Sequence, residues 1–150
     1  MRTIVLFIGL HLLMLKVNAQ TDSTANDWQL IQKTVNLYID GQATSDSAMV
    51  AQAFHDSWQL KVFRDNEFRV IPKSKYITGY KKRTKPTNWS GRIVFIDIAH
   101  DIAIAKVEIS TSKLLFTDYF NLLKTNQGWL IVDKISTRIP HKTVEAPAPQ

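Results

Sequence analysis

The chain predicts an α+β domain, with N-terminal helices segregated to one face of a mainly antiparallel sheet. Three observations predict it. Apolar residues recur at helical spacing through residues 26–54. From residue 58 onward the pattern changes to runs of branched and aromatic residues separated by turn formers. The last two runs, residues 114–124 and 129–137, flank Thr125-Asn126-Gln127-Gly128, a four-residue turn with glycine in its last place.

Taken in order, Asn26 caps a first helix whose first turn carries Asp27. Trp28, Ile31, Val35, Tyr38 and Ile39 form its apolar stripe, and Gly41 ends it. Thr44 or Ser45 caps a shorter second helix with Met49, Val50, Ala53 and Phe54 on one side. Trp58, Leu60 and Val62, then Phe68 and Val70, flank Asp65-Asn66, a pair suited to the positive φ angles of a tight hairpin. Pro72 closes that hairpin, and residues 73–85 form a third helix or helical turn, weakened by Gly79 and finished before Pro86. Strands follow over residues 89–98, 102–109, 114–124 and 129–137.

In the run at 114–124, Phe120 and Leu122 share one face while Tyr119 and Leu123 share the other. A strand apolar on both faces is covered on both. The helices supply one cover, and a second copy of the chain is expected to supply the other.

Composition bounds the chemistry. With 150 residues, 45% hydrophobic and 21% charged, the chain has the makeup of one soluble globular domain. Its lack of cysteine excludes disulfides, thiolate metal sites and a cysteine nucleophile. Met1-Arg2, the apolar run from Ile4 to Leu15, and Val17-Asn18-Ala19 read as a signal peptide cleaved before Gln20. The expected organisation is a leader at 1–19, a flexible lead-in at 20–25, the domain at 26–139 and a disordered tail at 140–150. The protein is then exported, periplasmic or secreted, with no membrane anchor after cleavage. Loss of Arg2 and Lys16 takes the net charge from +6 to +4.

Several short motifs narrow the class further: Val35-Asn36-Leu37-Tyr38-Ile39-Asp40-Gly41, Ala53-Phe54-His55, Gly91-Arg92-Ile93 and Ala103-Ile104-Ala105-Lys106-Val107-Glu108. Thr117-Asp118-Tyr119-Phe120-Asn121-Leu122-Leu123-Lys124 and Gly128-Trp129-Leu130-Ile131-Val132-Asp133-Lys134 complete the set. In these the chain resembles the putative lumazine-binding family of the nuclear-transport-factor-2-like superfamily, which includes ketosteroid isomerase and the polyketide cyclases. The resemblance implies a cone, in which a strongly curved sheet closes over the N-terminal helices and dimerises through its convex face. It implies less about activity, because members resemble enzymes, ligand carriers and catalytically silent domains alike.

Candidate site residues carry two meanings each. His55, at the end of the second helix, is a general acid or base facing the cone's mouth, or a cap on the helix C-terminus. Asp118 shares strand parity with Phe116, Phe120 and Leu122. It is therefore a pocket acid, as in the isomerase-like relatives, or the partner of Lys106, Lys134 or Arg92 in an ion pair. Pairing is the expectation for its structural role. Tyr38, Trp58 and Tyr119, with Tyr76 and Tyr80, line a site for a flat apolar or aromatic ligand, or are plain core.

No histidine pair has metal-site spacing, so no metal is expected, and no cofactor motif is present. The basic run Lys73 to Lys85 reads as a solvated face or a rim attracting an anion, and nucleic acid is not an expected partner. Two classes of function remain: a small-molecule-binding domain, and an isomerase, dehydratase or cyclase-type enzyme in which His55 and Asp118 share acid and base work. A third is an interaction module that works through its sheet surface.

Overall fold

A computed structural model describes the backbone of residues 3–141 and the side chains of residues 24–141. The leader expected at 1–19 lies outside the described side chains, and most of the expected tail lies outside the described chain. Three helices, α1 (Thr3–Thr44), α2 (Ser47–Ala53) and α3 (Lys73–Ile77), combine with six strands. These are β1 (Phe54–Arg64), β2 (Glu67–Pro72), β3 (Ser90–Ala99), β4 (Ile102–Ser110), β5 (Leu114–Thr125) and β6 (Gly128–Pro140).

The strands form one sheet in the order β2-β1-β6-β5-β4-β3. A β1–β2 hairpin lies beside a four-strand antiparallel meander, and the two join through a parallel β1–β6 pairing. A parallel neighbour needs a long crossover, which here runs through β2, α3 and the strands that follow. Register shifts occur between Phe54 and Gln59, between Ile93 and Phe95, and between Asn121 and Leu122. Bulges of this kind bend strands and increase their twist, which curves the sheet around the helices.

Side-chain parity divides the sheet. Ala103, Ala105, Val107 and Ile109 of β4 face inward with Phe120 and Leu122 of β5, all buried. They meet Ile31, Val35, Tyr38 and Ile39 of α1, at the predicted helical spacing. Trp58, Leu60 and Val62 of β1 are buried as the strand pattern predicts.

The helix ends differ from expectation. α1 passes through Asn26 as continuous helix and runs on to Thr44, so Asn26 is not its cap. Ser45 takes a left-handed conformation at φ 52°, and Asp46 caps α2 by accepting from the Ala48 and Met49 amides. Asp46 competes successfully because its carboxylate accepts two amides at once. Gly41 stays helical but lets α2 approach, since a methyl group there would lie 2.6 Å from a methyl of Val50. Trp28, predicted on the buried stripe, is 43% exposed. Asp27 is buried in its place, accepting the Trp129 indole N–H at 3.0 Å and pairing with Lys124 at 2.8 Å.

The Asp65-Asn66 turn is as predicted, with φ of 54° and 59° at the two residues. Gly128 closes the β5–β6 hairpin at φ 97°, a conformation that favours glycine. The third helix is shorter than residues 73–85. α3 ends at Ile77, a turn follows at Thr78 and Gly79, and residues 80–86 form a loop without regular structure.

Candidate ligand site inside the cone

α1, α3, the loop after α3 and strands β4 and β5 line a cavity of about 210 Å³. Trp89, Ile109 and Phe116 supply apolar walls, and Tyr38, Gln42, Tyr76, Thr111 and Asp118 supply polar atoms. Arg83 lines it from the loop between α3 and β3. Gly91 supports the Trp89 wall from behind. A methyl group there would come within 2.8 Å of the Trp89 ring and 2.7 Å of a methyl of Ile39.

Asp118 is 2% exposed. Its Oδ2 accepts the Tyr38 hydroxyl at 2.6 Å and lies 3.4 Å from the ammonium of Lys134. Lys134 stands on β6 opposite Phe120, so it meets Asp118 on the diagonal of the β5–β6 ladder. The same ammonium donates to Tyr38 Oη at 2.8 Å and Tyr76 Oη at 3.2 Å. It also lies over both rings, 4.8 Å and 5.0 Å from their centres. All three of its donors are thus used, which such a buried ammonium requires.

Gln42, one helical turn beyond Tyr38, donates to Tyr76 at 2.7 Å and to the Tyr80 hydroxyl. Burial pushes the Tyr38 phenol well above its ordinary range, and the Asp118 charge pushes the same way. Burial also raises the phenols of Tyr76 and Tyr80. All three hydroxyls therefore keep their protons at neutral pH and remain hydrogen-bond donors.

One oxygen stands apart. Asp118 Oδ1 is buried and has no hydrogen-bond partner. A carboxylate oxygen left dry costs more than the usual ~1–3 kcal/mol of an unmade neutral bond.

Of the residues singled out in the sequence, Tyr38 and Asp118 meet here, with Tyr76 and Tyr80 beside them. Asp118 is both paired, with Lys134, and turned into the cavity. Trp58 is buried and stacks on Phe54 at 4.0 Å, with Tyr76 at 4.9 Å. It is core behind the site rather than part of the lining, although its indole N–H has no partner.

Two residues are not brought to this cavity. Tyr119 has the opposite strand parity to Asp118 and projects from the outer face, 41% exposed. His55 is the second residue of β1 instead of the end of a helix, and its Nδ1 lies 2.7 Å from Ser57 Oγ at the surface. Gln42, Arg83, Trp89 and Thr111 are site residues that the sequence did not single out for a pocket. Only the four-residue spacing of Gln42 from Tyr38 signals it. Among the described residues no three acidic or histidine side chains converge as a metal ion would need.

A curved sheet wrapped over N-terminal helices, with its polar cluster inside, is the nuclear-transport-factor-2-like cone. Solved structures with this architecture include a nuclear-transport-factor-2-like protein of unknown function from Shewanella baltica OS155, 25% identical with a TM-score of 0.71, covering 78% of this chain and 97% of that one. One from Methylobacillus flagellatus KT is 24% identical with a TM-score of 0.67, covering 78% and 94%. A ketosteroid isomerase-like protein from Erwinia carotovora atroseptica is 14% identical with a TM-score of 0.57, covering 74% and 95%. The putative lumazine-binding family matches residues 26–136, and the chain belongs to that family. No curated protein matches the chain.

Proposed function

We propose that the protein binds a small apolar or aromatic molecule inside the cone. The observation that carries this is Asp118, which lines a cavity with apolar walls while its buried Oδ1 has no hydrogen-bond partner. The family's name, which points to a small heterocycle, agrees with it. At about 210 Å³ the cavity lies below the usual range of drug-sized sites, ~300–1,000 Å³. It exceeds the ~150 Å³ that holds benzene in an engineered cavity, so one ring with its substituents fits. The acid–base reading that pairs His55 with Asp118 is not favoured, because His55 is held by Ser57 at the surface.

The outer face supports a second part of the proposal, a homodimer through the convex side of the sheet. Phe63, Phe68, Ile104, Tyr119, Leu123 and Ile135 are exposed there, between 41% and 72%. Two shallow apolar hollows of about 290 and 310 Å³ lie among them. Both are larger than the interior cavity, yet they open across the sheet, which suits a flat protein surface. Two ion pairs close within the face, Lys61 with Asp133 and Arg92 with Glu108. Exposed apolar patches of this extent mark association surfaces.

Export completes the proposal and rests on the leader at residues 1–19; N-terminal sequencing of exported protein should begin at Gln20. Native mass spectrometry of the purified protein tests ligand and assembly together. The expected result is a dimer carrying a small molecule lost on denaturation. A ligand-free spectrum that also fails to take up aromatic probes overturns the binding proposal.

A further inference from the structure

The cavity has a polarity that specifies more than shape, and this inference rests on the interior site being the binding site. Asp118 Oδ1 is buried and lacks a donor. Arg83, from the loop after α3, lacks an acceptor: among the described residues its guanidinium makes no hydrogen bond or ion pair. Its backbone is nonetheless fixed, because the Arg83 amide donates to Thr44 O at 2.7 Å. The neighbouring cations are occupied differently. Lys82 pairs with Asp46 at 2.8 Å, and Lys85 lies over the Trp89 ring at 5.4 Å.

Charge inside the site closes without Arg83, since Asp118 and Lys134 neutralise one another. The guanidinium is therefore a surplus positive charge on the lining. Guanidinium recognises carboxylate and phosphate groups through two parallel hydrogen bonds. Trp89, Ile109 and Phe116 line the same cavity.

We propose that the site takes a bipolar ligand: a hydroxyl or N–H group that donates to Asp118 Oδ1, one apolar ring against Trp89, and an oxyanion held by Arg83. This departs from a purely apolar guest. It also assigns Arg83, within a basic stretch that reads in the sequence as a solvated face or a rim attracting an anion, the part of ligand anchor.

Three probes separate the ends: 4-hydroxybenzoate carries both groups, phenol lacks the oxyanion and benzoate lacks the donor. Titrations followed by NMR at the Trp89 indole and the Ile109 methyls should show 4-hydroxybenzoate binding about tenfold tighter than either simpler probe, as one charge-assisted bond allows. Arg83→Gln, a change in an exposed loop, should bring 4-hydroxybenzoate down to the level of phenol and leave phenol unchanged. Equal affinities for the three probes, or an Arg83→Gln loss shared by phenol, overturn the polarity while the interior site stands. If no probe shifts Trp89 or Ile109, the interior site fails and the polarity with it.

Discussion

The hydroxyl of Tyr38 on α1 donates to Asp118 Oδ2 on β5 at 2.6 Å and accepts from Lys134 at 2.8 Å. One phenol thus ties the first helix to the two central strands and mediates between a buried anion and a buried cation. Tyr38→Phe keeps the ring, which packs edge-on to Phe120 at 4.9 Å, and removes only the bridge. The expected loss is about 1–3 kcal/mol, the cost of stranding buried polar groups. Urea unfolding should show a lower midpoint with an unchanged slope.

Asp118→Asn breaks the buried pair from one side and leaves the Lys134 ammonium dry. Removing one partner of a buried pair costs about 3–5 kcal/mol, so the variant should be clearly destabilised at pH 7. Lys134→Met added to Asp118→Asn should recover part of that loss, because the stranded charge is gone. A midpoint that rises for Asp118→Asn alone would show the carboxylate to be strained for function, and would favour an enzymatic role.

Acid stability should depend on Asp27. Hydrogen bonds from Lys124 and Trp129 hold its carboxyl below the ordinary value. A group whose pKa is lowered by folding stabilises the fold above its unfolded value, about 3.9, and loses that contribution as pH falls through the folded value. Folding free energy should therefore decline below about pH 4. Trp129 fluorescence, through its bond to Asp27, should report the change. Asp27→Asn should be less stable at pH 7 and flatter in this acid range.

Alkaline behaviour has the opposite sign. Burial raises the phenols of Tyr38, Tyr76 and Tyr80, so their contribution is complete below the ordinary tyrosine value of about 10 and is lost as pH climbs above it. In a titration at 295 nm these three tyrosines should ionise together with unfolding. Smooth ionisation of these three in the folded protein near pH 10 would contradict the network.

The dimer should depend on the outer face and not on the cavity. Ile135, opposite Tyr119 and 54% exposed, sits at its centre. Ile135→Asp should convert a species of twice the chain mass into a monomer in sedimentation, while far-UV dichroism keeps the same fold. Persistence of the dimer would move the interface elsewhere.

Periodicity and turn chemistry made much of this fold readable before any coordinates. The stripe Ile31, Val35, Tyr38 and Ile39 is buried, Asp65-Asn66 turns with positive φ, and Phe120 and Tyr119 fall on opposite faces of one strand. These are local properties: a helix repeats every 3.6 residues and a strand every two, whatever lies across from them. The parallel β1–β6 join, the indole bond that draws Asp27 inside while Trp28 turns out, and the choice of Lys134 over Lys106 or Arg92 as the partner of Asp118 are not local. Each joins residues distant along the chain through strand order and register, and parity alone cannot say which neighbour stands on the diagonal. The site belongs to the same class. Residue types nominated Tyr38 and Asp118, but only tertiary closure decided that Arg83 and Gln42 would line their cavity while His55 and Tyr119 would not, because a side chain's surroundings are set by what packs against it.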